Sequence, residues 1–283
     1  MSTPSFRQRE VIPPRSPVVL SVPHAGTATT GFAAELAPGL DVRGDADLFV
    51  DRLYGVSSDQ AGGAPDEASH HRSWIAACLS RFVCDMNRDP DDVSPTAVPA
   101  HPAPQNGDGR GFVWAVTTTG EAALARPLTL EEWRARAAIH TAYHAAIARA
   151  LARAHDRFGF AVLVDGHSMP SVGRHGHRDT GQPRAEIVPG DRDGTSCSPG
   201  LSLAVKSYFE NMGYEVSFNN PYKGGFITRH HGRPSEGIHA IQIEARRDLY
   251  MDEATFTERQ PAFTRLQAAL RGLLVALDDW RPD

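Results

Sequence analysis

Five apolar residues, Phe160-Ala161-Val162-Leu163-Val164, follow Gly159 and run straight into Asp165-Gly166-His167-Ser168. A short unbroken apolar run after a glycine predicts a strand buried on both faces, the usual state of a strand in a parallel or mixed sheet. Polar groups at the C-terminal end of such a strand stand where open α/β sheets place their ligands. Asp165 and His167 are two apart, so in extended chain they point the same way. His167 is therefore a candidate metal ligand or acid/base. The plainer alternative is a strand-end histidine bonded to backbone.

The rest of the composition narrows the field. The chain has 283 residues, 41% of them hydrophobic and 22% charged, with no linker-like break, so one catalytic domain over residues 1–283 is expected. A net charge of −5 carries no electrostatic footprint for nucleic acid. Cys78, Cys84 and Cys197 form no CxxC pair, which argues against a disulfide framework and against a cysteine zinc site. The polar, proline-bearing start does not read as a signal peptide. No apolar run approaches the ~18 residues of a membrane span, so no membrane partner and a cytoplasmic setting are expected.

A second strand, Pro17 to Val22, delivers His24 in Pro23-His24-Ala25-Gly26. Residues 41–54 carry Asp45, Asp47 and Asp51 on a partly helical pattern. Acids at a helix start usually cap free N–H groups, but one of these three can instead complete a metal site. Residues 62–71 read as a loop. A strand is expected over Arg81-Phe82-Val83-Cys84, ending in Asp85-Met86-Asn87-Arg88, where Arg88 is placed to clamp a carboxylate with its planar fork or to pair with Asp85 or Asp89. Thr129-Leu130-Glu131-Glu132 is a capping box that opens a helix running to about His155. His140 and His144 lie one turn apart on it, but Thr141 replaces the glutamate of an HExxH motif, so they read as surface or packing residues.

Beyond the central strand, residues 171–198 form a long polar loop bearing Arg174, His175 and Arg184. Ser198-Pro199 caps a helix that Gly213 stops. Tyr214 to Phe218 and Val113 to Thr117 read as strands, and Asn220-Pro221-Tyr222-Lys223-Gly224-Gly225 as a glycine-rich turn. Ile238 to Arg246 is the last clear strand, with Gln242, Glu244 and Arg246 on one face. A buried acid is costly unless paired, which makes Glu244 a general-base candidate, with a salt bridge to Arg246 or Arg247 as the alternative. Thr257 to Trp280 closes the chain as a helix.

Strand ends thus carry His24, Asn87-Arg88, Asp165-x-His167 and Glu244, with Asp47 close behind the first. Two histidines and a carboxylate are a common ligand set for a hydrolytic zinc. A serine hydrolase is the rival, but Gly166-His167-Ser168 is not GxSxG and Ser168 adjoins its own would-be base.

Taken in order, Pro23-His24-Ala25-Gly26, Asp85-Met86-Asn87-Arg88, Asp165-Gly166-His167-Ser168, Asn220 to Gly225 and Ile241 to Met251 resemble the N-formylglutamate amidohydrolase family, a relative of the zinc carboxypeptidases. The resemblance implies an α/β fold with a mixed central β-sheet flanked by helices on both faces, zinc-carboxypeptidase-like (phosphorylase/hydrolase-like). It implies one Zn2+ per chain on His24 and His167, Glu244 as general base, and Asn87 and Arg88 as the carboxylate clamp. The third ligand departs from the carboxypeptidase His-x-x-Glu, because residue 27 is Thr27. Asp47 aligns best with an acid of the family, with Asp45 and Asp51 as alternatives. Tyr222, Arg246 and the 174–192 loop are candidates to read the substrate side chain. The implied reaction is hydrolysis of an N-acyl amino acid, N-formyl-L-glutamate to glutamate and formate, as in histidine degradation. Another amidase or carboxypeptidase-like action, or a metal-free carboxylate-binding relative, are the alternatives. The oligomeric state stays open.

Overall fold

Buried apolar strands must satisfy their backbone groups by pairing with one another. In the computed structural model, which describes residues 3–56, 71–105, 107–174 and 177–282, six strands do so in one sheet. In chain order the elements are β1 (Phe6–Arg9), β2 (Val18–Val22), α1 (Val50–Leu53), β3 (Ser73–Ala77), α2 (Leu130–Phe158), β4 (Ala161–Met169), β5 (Ile187–Gly190), α3 (Pro199–Asn211), α4 (Phe226–His231), β6 (Ile238–Arg246), a small hairpin of β7 (Met251–Asp252) and β8 (Thr257–Glu258), and α5 (Ala262–Asp278). The sheet order is β1-β3-β2-β4-β6-β5. The four inner strands are parallel, and β1 and β5 run antiparallel at the edges. This is the expected mixed α/β sheet. The loop expected over residues 62–70 and His175 lie outside the described residues.

Side-chain alternation divides the core in two. Val162 and Val164 of β4 pack with Leu266, Leu270 and Leu273 of α5 and Val205 of α3. Ala161 and Leu163 pack with Tyr143, Ile147 and Leu151 of α2 on the other face. The same alternation puts Asp165 and His167 on the α2 side. Gly166 therefore faces α5, and the reason it is a glycine is steric: a Cβ there would lie 2.4 Å from the Tyr54 ring.

α2 begins at the capping box, where Thr129 Oγ1 accepts from the Glu132 N–H and Glu132 accepts from the Thr129 N–H. It ends where Gly159 adopts the left-handed conformation (φ 79°).

Five local expectations are corrected. Residues 81–84 are not a strand; the β3 ladder lies earlier, at Ser73–Ala77. Phe82, Val83 and Cys84 are apolar because they are buried beside α2, not because they pair in the sheet. In residues 41–54 only Val50–Leu53 is helical, since Asp47 N–H is drawn to the His24 carbonyl (2.9 Å). Val113–Thr117 and Tyr214–Phe218 form only isolated bridges. The final helix begins at Ala262 rather than Thr257, because Thr257–Glu258 pairs with Met251–Asp252.

Candidate metal and substrate site

The parallel strands release their polar residues at one edge. β4 and β6 set His167 beside Glu244 and Asp165 beside Gln242 in register, while β2 sets Ser21 against Asp165 and leads on to His24. The resulting cavity has a volume of about 350 Å³. Its floor carries His24, Asp47, His167, Gln242 and Glu244, and its walls carry Arg88, Arg174 and Tyr222.

His24, Asp47 and His167 form a buried group in which one ligand atom of each lies within 4.8 Å of the others. His167 Nδ1 is 3.1 Å and His24 Nδ1 3.5 Å from Asp47 Oδ2. Ligands about 2.0–2.2 Å from a tetrahedral zinc lie about 3.3–3.6 Å apart, so these spacings suit such an ion. The outer nitrogens are held by carboxylates: His24 Nε2 lies 2.6 Å from Asp85 Oδ1 and His167 Nε2 2.8 Å from Asp165 Oδ2. A carboxylate on the far nitrogen fixes the tautomer and turns Nδ1 inward, the usual support of a ligating histidine.

These charges hold one another. Burial alone pushes Asp85 up, but Arg81, whose Nη2 and Nε donate to Asp85 Oδ2 at 2.7 and 3.0 Å, and His24 hold it well below the usual carboxylate range. Asp47 is likewise pushed up by burial, and its hydrogen bonds with His167 and His24 outweigh that. Arg247 adds a third contact, Nη2 to Asp47 Oδ1 at 3.1 Å. Burial disfavours the His167 cation, yet Asp165 and Asp47 keep its proton well above the normal histidine range. Metal ligation needs a neutral imidazole, so loading this site releases a proton.

Glu244 is only 6% exposed. Its Oε1 accepts from Gln242 Nε2 (2.8 Å), and its Oε2 is buried with no hydrogen-bond partner among the described residues. Burial, then the nearby Asp47 charge, push its pKa up, against His167, His24 and Arg247; the result is about 7. A carboxylate poised near neutrality is suited to accept and return a proton.

Asp45 and Asp51, the alternative third ligands, are engaged elsewhere. Asp45 accepts from Thr118 and Arg174, and Asp51 pairs with Arg7 at 3.6 Å. Asn87 lines the cavity, its amide donating to Gln242 Oε1 at 3.2 Å. Arg88 is half exposed and approaches Asp92 only to 4.0 Å. Tyr222 lies under the Arg184 guanidinium, 5.1 Å from its centroid. Arg246 is not among the cavity residues. It donates to Asp248 Oδ1 and to the Arg184 carbonyl, both at 2.7 Å, because the chain turns at the end of β6. The next residue, Arg247, enters the site instead. Ser168 accepts from Arg247 Nε (3.2 Å), while both nitrogens of His167 face carboxylates, so no serine–imidazole pair forms.

Sequence reasoning missed Asp85 as the orienter of His24, and it missed Gln242 and Arg247 as site residues; Arg174 belongs to the loop expected to face substrate and does line the cavity. The opening acid of Asp85-x-Asn87-Arg88 was the available signal. His140 and His144, read as surface or packing residues, are buried, which selects packing over surface. Burial lowers His140 to about 4, His144 to about 2 and His231 to about 3. Their folded pKa values lie below the unfolded ~6.5, so between these values the unfolded chain binds more protons and stability is lost as pH falls. Replacing His231 by Leu removes one such group. The stability difference between wild type and His231→Leu is expected to shrink by about 2 kcal/mol from pH 7 to pH 5 in urea denaturation. An unchanged difference would show that His231 is not held neutral.

A buried His-Asp-His group beside a buried glutamate at the carboxyl edge of a mixed sheet is an arrangement suited to hydrolytic chemistry in the α/β class. The comparisons give the chain's family. The family model described as N-formylglutamate amidohydrolase matches residues 16–251, and the chain belongs to that family. It is 34% identical over 271 residues to an N-formylglutamate deformylase of Pseudomonas aeruginosa, and 34% identical over 277 residues to one of Pseudomonas putida. In each case 94% of both chains is covered. A crystal structure of N-formylglutamate amidohydrolase from Ralstonia eutropha JMP134 superposes with a TM-score of 0.82 at 30% identity, covering 97% of each chain. The gene product Atu2144 of Agrobacterium tumefaciens shares the fold, with a TM-score of 0.64 at 22% identity over 96% of this chain and 94% of that one.

Proposed function

We propose that the chain, acting as one catalytic domain, hydrolyses N-formyl-L-glutamate to L-glutamate and formate with one zinc ion held by His24, Asp47 and His167. The carboxylates on the outer nitrogens of both histidines carry this reading, since they aim both Nδ1 atoms at Asp47. Relatives named N-formylglutamate deformylase support the substrate. When bound, zinc supplies a Lewis acid that acidifies water and polarises an acyl oxygen.

The protein's own residues do the rest. Arg88 anchors a substrate carboxylate with its fork, and Asn87 shapes the floor beneath it. Glu244 Oε2 takes the proton of the attacking water and returns it to the departing amine nitrogen, so atoms and charge balance over the cycle. Arg247 holds Asp47 in place through its Oδ1. Tyr222, in the cavity lining, is a further substrate contact.

A panel of N-formyl, N-acetyl and peptidyl amino acids tests the reading on zinc-loaded protein. N-formyl-L-glutamate is expected to give the highest kcat/KM. A peptidyl or acetyl substrate turned over faster would replace it. Arg88→Gln is expected to raise KM for N-formyl-L-glutamate roughly 10- to 100-fold, the worth of one charge-assisted hydrogen bond to carboxylate. An unchanged KM would remove Arg88 from the clamp.

A further inference from the structure

The cavity has two walls that the sheet does not place directly: the Asp85–Arg88 turn and the 221–225 segment leading into α4. Both are tied to α2 by imidazoles that the reaction does not use. His140 Nε2 lies 3.0 Å from the Arg88 carbonyl, and His144 Nε2 lies 2.9 Å from the Met86 carbonyl. A carbonyl only accepts, so both Nε2 atoms carry protons. His144 Nδ1 is then an acceptor, and His231 Nε2, 2.9 Å away at the end of α4, donates to it. The start of α4 completes the frame. Phe226 N–H donates to the Asn87 carbonyl (3.1 Å), and Ile227 N–H donates to Asn87 Oδ1 (2.8 Å). Gly225 permits this approach, because a Cβ there would lie 2.4 Å from Asn87 Oδ1.

Three successive carbonyls, of Met86, Asn87 and Arg88, are thus each held by a donor from α2 or α4. The three imidazoles are buried: His140 is 3%, His144 6% and His231 2% exposed. His140 and His144 pack with ring centroids 4.1 Å apart, and His144 and His231 stack at 5.2 Å. Burying three imidazoles between helices costs free energy that an apolar side chain avoids. Their bonds to one turn and to each other offset that cost and give the cluster a task.

We infer that His140, His144 and His231 are positioning residues that set the Asn87–Arg88 turn against the 221–225 wall, and thereby set affinity for the substrate carboxylate. The inference rests on the functional reading above. The chemical groups have anchors outside the turn, while the Asn87 amide also reaches His167 Nε2 and Gln242 Oε1, both at 3.2 Å. His24, His167 and Glu244 stand at strand ends, and Asp85 is anchored by Arg81 and by Trp114 Nε1 (3.1 Å). Loss of the struts therefore moves KM more than kcat.

The test compares wild type with His144→Phe, which keeps ring volume and removes both bonds, and with His144→Gln, which keeps a donor near Nε2. His144→Phe is expected to raise KM for N-formyl-L-glutamate about tenfold, with kcat within about threefold and zinc content unchanged. His144→Gln is expected to restore most of the affinity, which a purely structural role would not require. Should His144→Phe fail to fold, His140→Phe removes a single bond and is expected to raise KM about threefold. The dissociation constant of glutarate, a carboxylate probe that needs no turnover, is measured on the same proteins and is expected to follow KM. Unmoved KM and glutarate affinity, a fall in kcat alone, or equal losses in Phe and Gln overturn the inference. If wild type hydrolyses no N-formyl amino acid but glutarate affinity still falls in His144→Phe, the functional reading fails and the positioning role stands. No glutarate binding and no turnover in wild type overturn both.

Discussion

Replacing Glu244 by Gln is expected to lower kcat for N-formyl-L-glutamate about a thousandfold while zinc stays at the wild-type level. General acid–base catalysis by a positioned side chain typically supplies 10²- to 10⁴-fold, and Gln keeps the shape without the proton affinity. Gln242 donates to Oε1 (2.8 Å), which an amide oxygen replaces without rearrangement. The lost function lies at Oε2, the buried oxygen with no partner among the described residues. The same exchange has a stability signature in metal-free protein. Burial raises the folded Glu244 pKa to about 7 from an unfolded 4.5. An acid with a raised folded pKa stabilises the native state while protonated, and that contribution is lost as pH rises through 7. Metal-free Glu244→Gln should therefore be the more stable protein at pH 8 by on the order of 2–3 kcal/mol, a gap that closes toward pH 5. Turnover within tenfold of wild type would assign the proton transfer elsewhere.

His167→Ala is expected to abolish zinc binding, taking elemental analysis from about one zinc per chain to background, and activity with it. Two ligands remain after the exchange, where protein zinc sites use at least three. The variant also removes one partner from each of two buried carboxylates, Asp165 at 2.8 Å and Asp47 at 3.1 Å. Breaking a buried pair costs about 3–5 kcal/mol, so a lowered melting temperature should accompany the loss. Stability and metal are separable here, because the His144 variants perturb another buried histidine without touching the zinc ligands. Zinc retained by folded His167→Ala would move the site. No zinc in wild type after loading would end the metal mechanism and leave His167 as a structural residue or a metal-free acid/base.

Residues whose role follows from their own strand were legible without tertiary information. β4 and β6 are long, apolar and nine residues each, and period-two alternation orients Asp165 with His167 and Gln242 with Glu244. α2 was legible from its capping box and its glycine stop, both of which are local hydrogen-bond chemistry. Residues 81–84 were misread because apolar character reports burial, and burial against α2 looks the same in sequence as burial in a sheet. Arg246 was misread for a related reason. Alternation assigned it to the site face, but the strand ends there and its guanidinium turns to Asp248 and the Arg184 carbonyl.

The sequence by itself determined the α/β layout, the main strands and helices, and the residue types that meet at the strand ends. Those follow from periodicity, capping and the cost of leaving backbone groups unpaired, all short-range properties. The tertiary structure alone decided which of Asp45, Asp47 and Asp51 faces the histidines. It also paired Asp85 with His24 across 61 positions and joined α2 to the Asn87–Arg88 turn through His144 and His231. Those choices depend on distances between segments far apart in the chain, and a carboxylate or an imidazole carries no local mark of the partner that packing will bring to it.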